Sequence, residues 1–390
     1  MYNFLTLQIE WGDLMAADAD SAKPQFRWNR ARHRTAEMLF TAIRSPTQAA
    51  AFTASDWDLL LRVARREGLL AKIAIQLDQA GVPDHVPQQA LDHMIAARAI
   101  ATNHARMIRW EVDRIQFALR NVETRILLLK GAAYLLAGLP LAQGRLVSDV
   151  DILVPEDSLH EVEAALLSAG WAPLKLNPYD QHYYRRWMHE LPPLRHRTRG
   201  TTVDVHHRIL PQTSRLNPDP GLLWADSTVA TDSKLRVLSG EDMLLHCAVH
   251  LFHDGDLNHG LRDLVDLHDM FEHFGKNPEF WPRLTRRAQL LGVTRPLFYA
   301  LKYTEKLLGT KIPTNVPTTV EVAAPLWPVE QLMDQLLSRA LTPEHPDHPT
   351  TVTALTRWLL YVRSHYLRMP LKLLIPHLLR KSLRKRPQPA

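Results

Sequence analysis

The chain has 390 residues, of which 46% are hydrophobic, so it is long enough to bury the cores of about two domains. It has a formal net charge of +6 and a single cysteine, Cys247. One cysteine excludes an intramolecular disulfide and is typical of a protein in a reducing compartment. The longest apolar run, residues 132–142, is shorter than the roughly 20 residues of a membrane-spanning helix. We expect a cytoplasmic protein without a signal peptide.

The first 121 residues show two patterns. Residues 1–55 mix alanine, arginine, aspartate and aromatic residues without a firm period, so this segment is poorly defined and is expected to be loose or weakly helical. From residue 56 to 121, apolar residues recur at helical spacing, beginning with Leu59, Leu60, Val63 and Ala64. We therefore predict a helical segment that leads into the centre of the chain.

The central segment, residues 122–215, changes to a pattern of short strands. We predict strands over 125–130, 146–154, 193–198 and 201–208, with helices over 132–139 and from Ser158 to about residue 169. Ser158 and Glu161 have the spacing of a capping box at the start of the second helix. The pattern predicts a small mixed β-sheet with helices beside it.

The remainder of the chain is mostly helical. Over 216–315 we predict three helices: the first capped by Ser239, the second capped by Asn258 and ending before Gly275, and the third over 280–308. A segment rich in proline and threonine, residues 316–350, is predicted to be a linker, and a basic amphipathic tail follows over 351–390. The expected fold class is α+β: a small mixed sheet flanked by N-terminal and C-terminal helical regions.

The positive charge lies in that tail. Residues 349–390 contain nine basic residues and no acidic one, and without them the chain has a net charge of −3. The tail also carries tryptophan, tyrosine and leucine, which is typical of a segment that contacts an anionic membrane surface, here at the inner face. Two other interpretations stay open: the tail binds RNA phosphates, or it is a helix packed on the body with a basic end.

A pair of aspartates in the predicted strand over 146–154 is the most informative motif. Side chains alternate along a strand, so Asp149 and Asp151 point to the same face, about 7 Å apart. Two carboxylates so placed repel each other unless a cation lies between them. Mg²⁺ prefers oxygen ligands, and two such ions form the clamp used in phosphoryl and nucleotidyl transfer. We predict two Mg²⁺ ions, or Mn²⁺, at this strand.

A phosphate-binding element precedes the aspartates. Gly131 opens a predicted helix directly after a strand, where backbone N–H groups are exposed and a phosphate can approach closely. Lys130 and Arg145 add positive charge against a triphosphate, and Ser148 directly precedes the first aspartate. These four residues are the predicted nucleotide-binding group.

In these motifs the sequence resembles the polymerase-beta-like nucleotidyltransferase superfamily. More closely, it resembles a bacterial family of uncharacterised nucleotidyltransferases related to the AbiEii toxin type, in which Lys-Gly replaces the usual Gly-Ser. The resemblance covers roughly residues 56–313. It rests on the segments 128–131, 148–152, 203–206, 244–246 and 263–266, together with Arg145.

The resemblance implies a third carboxylate on a neighbouring strand, and Asp204 occupies that position. It implies that Asp149 and Asp151 bind both metal ions, and that Asp204 binds only the ion at the attacking group. The implied reaction transfers a nucleoside monophosphate from an NTP to an acceptor and releases pyrophosphate. The acceptor is a small molecule, a protein or a tRNA, and His206 and His250 are candidates for its side of the site.

Two rival functions remain. A nucleotide-binding module without catalysis is one, although the three carboxylates argue against it. The other is an HD-type metal phosphohydrolase built on His253 and Asp254, or a zinc site formed by His246, His250 and His253, which share one helical face. A solvated polar face is the simpler explanation of these histidines.

Overall fold

The computed structural model describes residues 22–372 and 374, apart from 175–187, 231–234, 256 and 258. The predicted cap Asn258 and the basic end of the tail, residues 375–390, therefore lie outside the described residues. None of the described helices is both long enough and apolar enough to cross a membrane.

Four helices form the N-terminal region: α1 (Ala22–Arg44), α2 (Ala54–Arg66), α3 (Leu70–Gln79) and α4 (Gln88–Ala118). Residues 22–44 form the helix α1 where the sequence predicts a loose or weakly helical segment, and residues 1–21 lie outside the described residues. In α1, residues Ala36, Leu39, Phe40 and Ile43 follow helical spacing and are buried, so packing against the body stabilises the helix.

In the part of the chain that the structure describes, seven strands form one mixed sheet with the order β3-β4-β5-β2-β1-β7-β6. The strands are β1 (Leu127–Leu128), β2 (Asp149–Leu153), β3 (Trp171–Pro173), β4 (Leu194–His196), β5 (Thr202–His206), β6 (Thr228–Val229) and β7 (Arg236–Val237). The central pair, β2 and β5, is parallel, whereas β1 and β2 are antiparallel. The expected α+β class with a mixed sheet and helical flanks is confirmed.

Among the described residues of the sheet region, two helices follow strands: α5 (Lys130–Leu136) after β1 and α6 (Leu159–Ser168) after β2. The predicted capping box at Ser158 is wrong. Ser158 has a helical backbone conformation, and its hydroxyl contacts the carboxylate of Asp157 at 3.3 Å instead of a backbone N–H. A 3-10 turn, Glu156–Ser158, precedes α6, so the chain is already turning before the position where a capping residue would lie.

The C-terminal region consists of α7 (Pro220–Asp226), α8 (Gly240–Val249), α9 (Gly260–Phe274), α10 (Phe280–Leu290), α11 (Thr294–Leu308), α12 (Asn315–Val320), α13 (Trp327–Leu341) and α14 (Thr351–Arg368). The predicted Ser239 cap is confirmed, because its side chain accepts a hydrogen bond from the N–H of Asp242. The single helix predicted over 280–308 is two helices, separated at Gly292, where φ is +69°.

The structure also corrects the predicted linker over 316–350. The helix α13 occupies much of it and buries Met333, Leu337, Ala340 and Leu341. Pro328 does not prevent this, because it lies in the first turn, where a helix tolerates proline.

The tail is a packed helix as far as the structure describes it. The face of α14 that includes Thr353, Thr356, Leu360 and Ser364 is buried, and Arg363 donates a hydrogen bond to the carbonyl of Phe252 at 2.8 Å. The opposite face leaves apolar side chains exposed, among them Val352, Leu355 and Trp358. Membrane contact by the tail stays a prediction.

Candidate active site

The three predicted carboxylates lie on the two central strands of the sheet. The register of β2 and β5 pairs Asp151 with Asp204 and Asp149 with Thr202. Because paired residues of neighbouring strands point to the same face, Asp151 and Asp204 lie side by side, with Asp149 one pleat away. Asp151 is 2% exposed and Asp204 is 8% exposed, whereas Asp149 is only partly buried.

Two nitrogen-bearing side chains lie within hydrogen-bond distance of the Asp151 carboxylate. The Lys130 ammonium donates a hydrogen bond to Asp151 Oδ1 at 2.9 Å, and His206 Nε2 lies 3.0 Å from the same oxygen. Burial opposes ionisation, but Lys130 and the hydrogen bond from His206 outweigh it and hold the pKa of Asp151 well below its usual range. Asp151 is therefore a carboxylate whose charge is compensated.

Asp204 is the opposite case. Burial raises its pKa well above the usual range, and the neighbouring carboxyl groups of Glu190, Asp151 and Asp149 raise it further. Its Oδ1 atom is buried and has no hydrogen-bond partner among the described residues. A buried polar atom is normally bonded, and these carboxyl groups would carry more negative charge than their described neighbours compensate if all of them were ionised. The carboxylate oxygens of Asp149, Asp151 and Asp204 are ligands of the kind that a divalent cation such as Mg²⁺ prefers.

A cleft beside β2 brings most of the predicted residues together. Its empty volume is about 470 Å³. Seven of the nine predicted site residues line it: Lys130, Gly131, Arg145, Ser148, Asp149, Asp151 and His250. The other two predicted residues, Asp204 and His206, do not line the cleft but contact or pair with Asp151 beneath it.

Close packing explains the glycine at position 131. A side-chain carbon added there would lie 2.7 Å from Val147 Cγ2 and would also collide with the guanidinium of Arg145. The residue before it, Lys130, has a φ of +48°, an uncommon conformation for a residue with a side chain. This conformation accompanies the sharp turn from β1 into α5 that places the ammonium beside Asp151.

The guanidinium of Arg145 is paired within the fold. Its Nε donates a hydrogen bond to Asp266 Oδ2 at 2.7 Å, and its side chain is 9% exposed. Burial lowers the pKa of Arg145, but Asp266 and Asp263 raise it by more, so the group stays charged. Arg145 lines the cleft with a charge that Asp266 already compensates, and its contact with a triphosphate stays a prediction.

A second pair on the cleft wall was not predicted from the sequence. His250 Nδ1 lies 3.1 Å from Asp263 Oδ2. Burial and Lys130 lower the pKa of His250, but the hydrogen bond and charge of Asp263 more than offset them and raise it. Asp263 and Asp266 are three residues apart on α9, so one helical face holds the partners of both His250 and Arg145.

The structure gives no support to the histidine zinc site on the helix. Among the residues that the structure describes, the group of metal-ligating side chains close enough to share one ion consists of His189, Glu190 and His206. His253 instead contacts the hydroxyl of Ser214 at 2.8 Å. The three aspartates do not form such a group either; Asp151 Oδ1 is bonded instead to Lys130 and His206.

Residues 53–309 match the family described as uncharacterised nucleotidyltransferases. The match spans more than half of the chain and includes the strands β1, β2 and β5 and the whole wall of the cleft, so the chain belongs to this family. No curated protein and no solved structure matches the chain.

Proposed function

We propose that this protein transfers a nucleoside monophosphate from an NTP to an acceptor and releases pyrophosphate. The observation that carries the proposal is the crowding of carboxyl groups around Asp204, on a strand register that sets it beside Asp151 at the edge of a cleft lined by Lys130. The family match supports nucleotidyl transfer at the coarse level. The link to the polymerase-beta-like superfamily and the AbiEii type is part of the proposal.

Asp149, Asp151 and Asp204 would hold Mg²⁺ or Mn²⁺. Bound there, the two ions would polarise the phosphate oxygens and activate the attacking group. Asp149 and Asp151 would hold both ions, including the one that arrives with the triphosphate, and Asp204 would hold only the ion at the attacking side. The different environments of Asp151 and Asp204 support this division, because Asp151 accepts a hydrogen bond from Lys130, whereas Asp204 Oδ1 has no hydrogen-bond partner among the described residues.

The other side chains of the cleft would bind and orient the substrate. Lys130 is partly exposed and can contact a phosphate oxygen while it keeps the Asp151 contact. Ser148 donates a hydrogen bond to Asp149 Oδ1 at 2.8 Å, which fixes the orientation of the most accessible of the three carboxylates. Gly131 and Ser148 line the cleft where the triphosphate would bind, and His250 lies on the wall where an acceptor would approach.

The test is the fate of each phosphate of the NTP. The full chain is incubated with Mg²⁺ and a cell lysate, in parallel with NTPs labelled at the α-phosphate or at the γ-phosphate. We expect an acceptor to gain the α label while the γ label is released as pyrophosphate. Asp149→Asn should abolish the transfer, and Asp157→Asn, an exposed aspartate near α6, should not. Transfer of the γ label, or no transfer of either label, would contradict the proposed function.

A further inference from the structure

A short segment beside the end of β5 carries two metal-ligating side chains. Residues 189–191 run antiparallel to the end of β5: the Leu191 N–H donates to the carbonyl of Val205 at 2.8 Å, and the His207 N–H donates to the carbonyl of His189 at 2.9 Å. Glu190 forms an isolated antiparallel bridge with His206. The backbone pairing therefore brings the side chains of His189 and Glu190 to His206.

The distances within this cluster suit one shared ion. The ligand atoms of the three side chains all lie within 4.8 Å of one another, and His206 Nδ1 is 3.4 Å from Glu190 Oε2. In a tetrahedral zinc site with bonds of roughly 2.0–2.2 Å, two ligand atoms lie about 3.4 Å apart. The His206–Glu190 spacing is thus already that of two ligands on one ion.

Burial supplies an independent observation. His189 is 7% exposed and His206 is 3% exposed, and the Nδ1 atom of each ring is buried without a hydrogen-bond partner among the described residues. Buried polar atoms are nearly always bonded, so two orphaned ring nitrogens in one cluster indicate a ligand that they share.

The other nitrogen of His206 has the contact that a metal-bound histidine usually makes. His206 Nε2 lies 3.0 Å from Asp151 Oδ1. A metal-ligating histidine commonly donates its second ring N–H to a carboxylate, which fixes the tautomer and leaves the other nitrogen free for the metal. With the proton on Nε2, the lone pair on Nδ1, which lies 3.4 Å from Glu190 Oε2, is available to a metal ion.

We propose that His189, Glu190 and His206 bind one transition-metal ion of the Zn²⁺ type, at a site separate from the Mg²⁺-binding aspartates. Two imidazoles and one carboxylate are ligands that Zn²⁺ prefers, whereas Mg²⁺ prefers carboxylates, phosphates and water. Three protein ligands leave a fourth position for water or another ligand. The ion would hold the His206 ring against Asp151, so this site lies next to the proposed nucleotidyl-transfer site without being part of it.

The test measures Zn²⁺ directly and does not depend on transfer activity. The full chain is stripped with a chelator and titrated with Zn²⁺ against a coloured zinc chelator, with Mg²⁺ in excess throughout. We expect one Zn²⁺ per chain. His189→Gln and Glu190→Gln should each weaken binding at least about tenfold, since even the outer-shell partners of a metal contribute about 10–100-fold.

Two control variants separate this site from other sources of binding. His160→Gln removes an exposed histidine of α6 and should leave the Zn²⁺ affinity unchanged. Asp149→Asn should keep Zn²⁺ binding even where it loses Mg²⁺-dependent NTP binding, so the failure of one proposal is distinguishable from the failure of the other. Circular dichroism of the metal-free proteins checks that each variant folds. If His189→Gln does not fold, the test still rests on Glu190→Gln, because Glu190 is the most accessible of the three ligands. Zn²⁺ affinity that is absent from the unmodified chain, or unchanged in Glu190→Gln, would overturn the proposal.

Discussion

Burial of the Asp204 carboxyl group beside other carboxyl groups should destabilise the metal-free protein, so Asp204→Asn should stabilise it. Asp204 is 8% exposed, and burial together with Glu190, Asp151 and Asp149 raises its pKa well above the usual range. Two unit charges about 5 Å apart, the spacing of neighbouring strands, repel by about 3 kcal/mol at an effective dielectric constant of about 20. Lys130 offsets part of this repulsion. We expect the substitution to raise the free energy of unfolding by about 1–3 kcal/mol at neutral pH.

The pH dependence gives the sign of the effect. A carboxyl group whose pKa is raised by folding binds its proton more tightly in the folded state, so its contribution to stability falls as pH rises from the unfolded pKa of about 3.9 through the folded pKa. The stability advantage of Asp204→Asn should therefore be small near pH 4 and grow as the pH rises towards the folded pKa of Asp204.

The assay is urea unfolding of both proteins in the presence of a chelator and then with Mg²⁺. At a Mg²⁺ concentration of 100 times Kd, binding stabilises a folded protein by about 2.7 kcal/mol, so the unmodified chain should gain stability from Mg²⁺ and Asp204→Asn should gain less. Asp157→Asn, which alters an exposed carboxylate, is the control and should change neither value. An Asp204→Asn protein that is less stable than the unmodified chain in chelator would refute the reasoning about excess charge.

Three further predictions concern the cleft and the tail. Lys130→Ala and Lys130→Gly should both raise KM for the NTP. In urea unfolding, Lys130→Gly should be about 1 kcal/mol more stable than Lys130→Ala, because φ at this position is +48° and glycine adopts that conformation without strain. Equal stabilities of the two variants would contradict this. His250→Gln should lower the free energy of unfolding most below about pH 6.5, and progressively less as the pH rises through the raised pKa of His250. Urea unfolding at several pH values measures this loss. A loss that does not depend on pH would exclude a charged His250–Asp263 pair. A shortened chain that ends at residue 374 lacks five basic residues and should no longer sediment with anionic vesicles in a salt-sensitive way. Equal sedimentation of the shortened and the full chain would rule out membrane contact by residues 375–390.

Local patterns predicted the part of the site that lies along one strand. The alternation of Asp149 and Asp151 with buried valine and isoleucine is visible in the sequence, and the structure places both carboxylates on one face of β2. Asp204 was placed by resemblance to a family motif, and the parallel register of β2 and β5 sets it beside Asp151. The helical flanks were predictable because apolar spacing over 10 or more residues is a strong signal.

Contacts between distant segments were not predictable in the same way. Glu190 and His189 lie beside His206 only because their segment pairs with the end of β5. The spacing of residue types along the sequence does not predict that pairing. The strands β6 and β7 have two residues each, too few for an alternating pattern. The helical spacing of Asp263 and Asp266 predicts that they share one face of a helix. It does not predict their partners, His250 and Arg145, which come from other parts of the chain.

The central claim is that Asp149 serves the metal that arrives with the triphosphate and that Asp204 serves the attacking side. It is tested most directly by measuring NTP binding and transfer on the same preparations, with isothermal titration of a non-hydrolysable NTP in Mg²⁺ and with an α-labelled transfer assay. Asp149→Asn should weaken binding and abolish transfer together. Asp204→Asn should bind the NTP within a few-fold of the unmodified chain and lower transfer by orders of magnitude, since loss of metal activation costs several kcal/mol. Transfer by Asp149→Asn at the rate of the unmodified chain would contradict the claim.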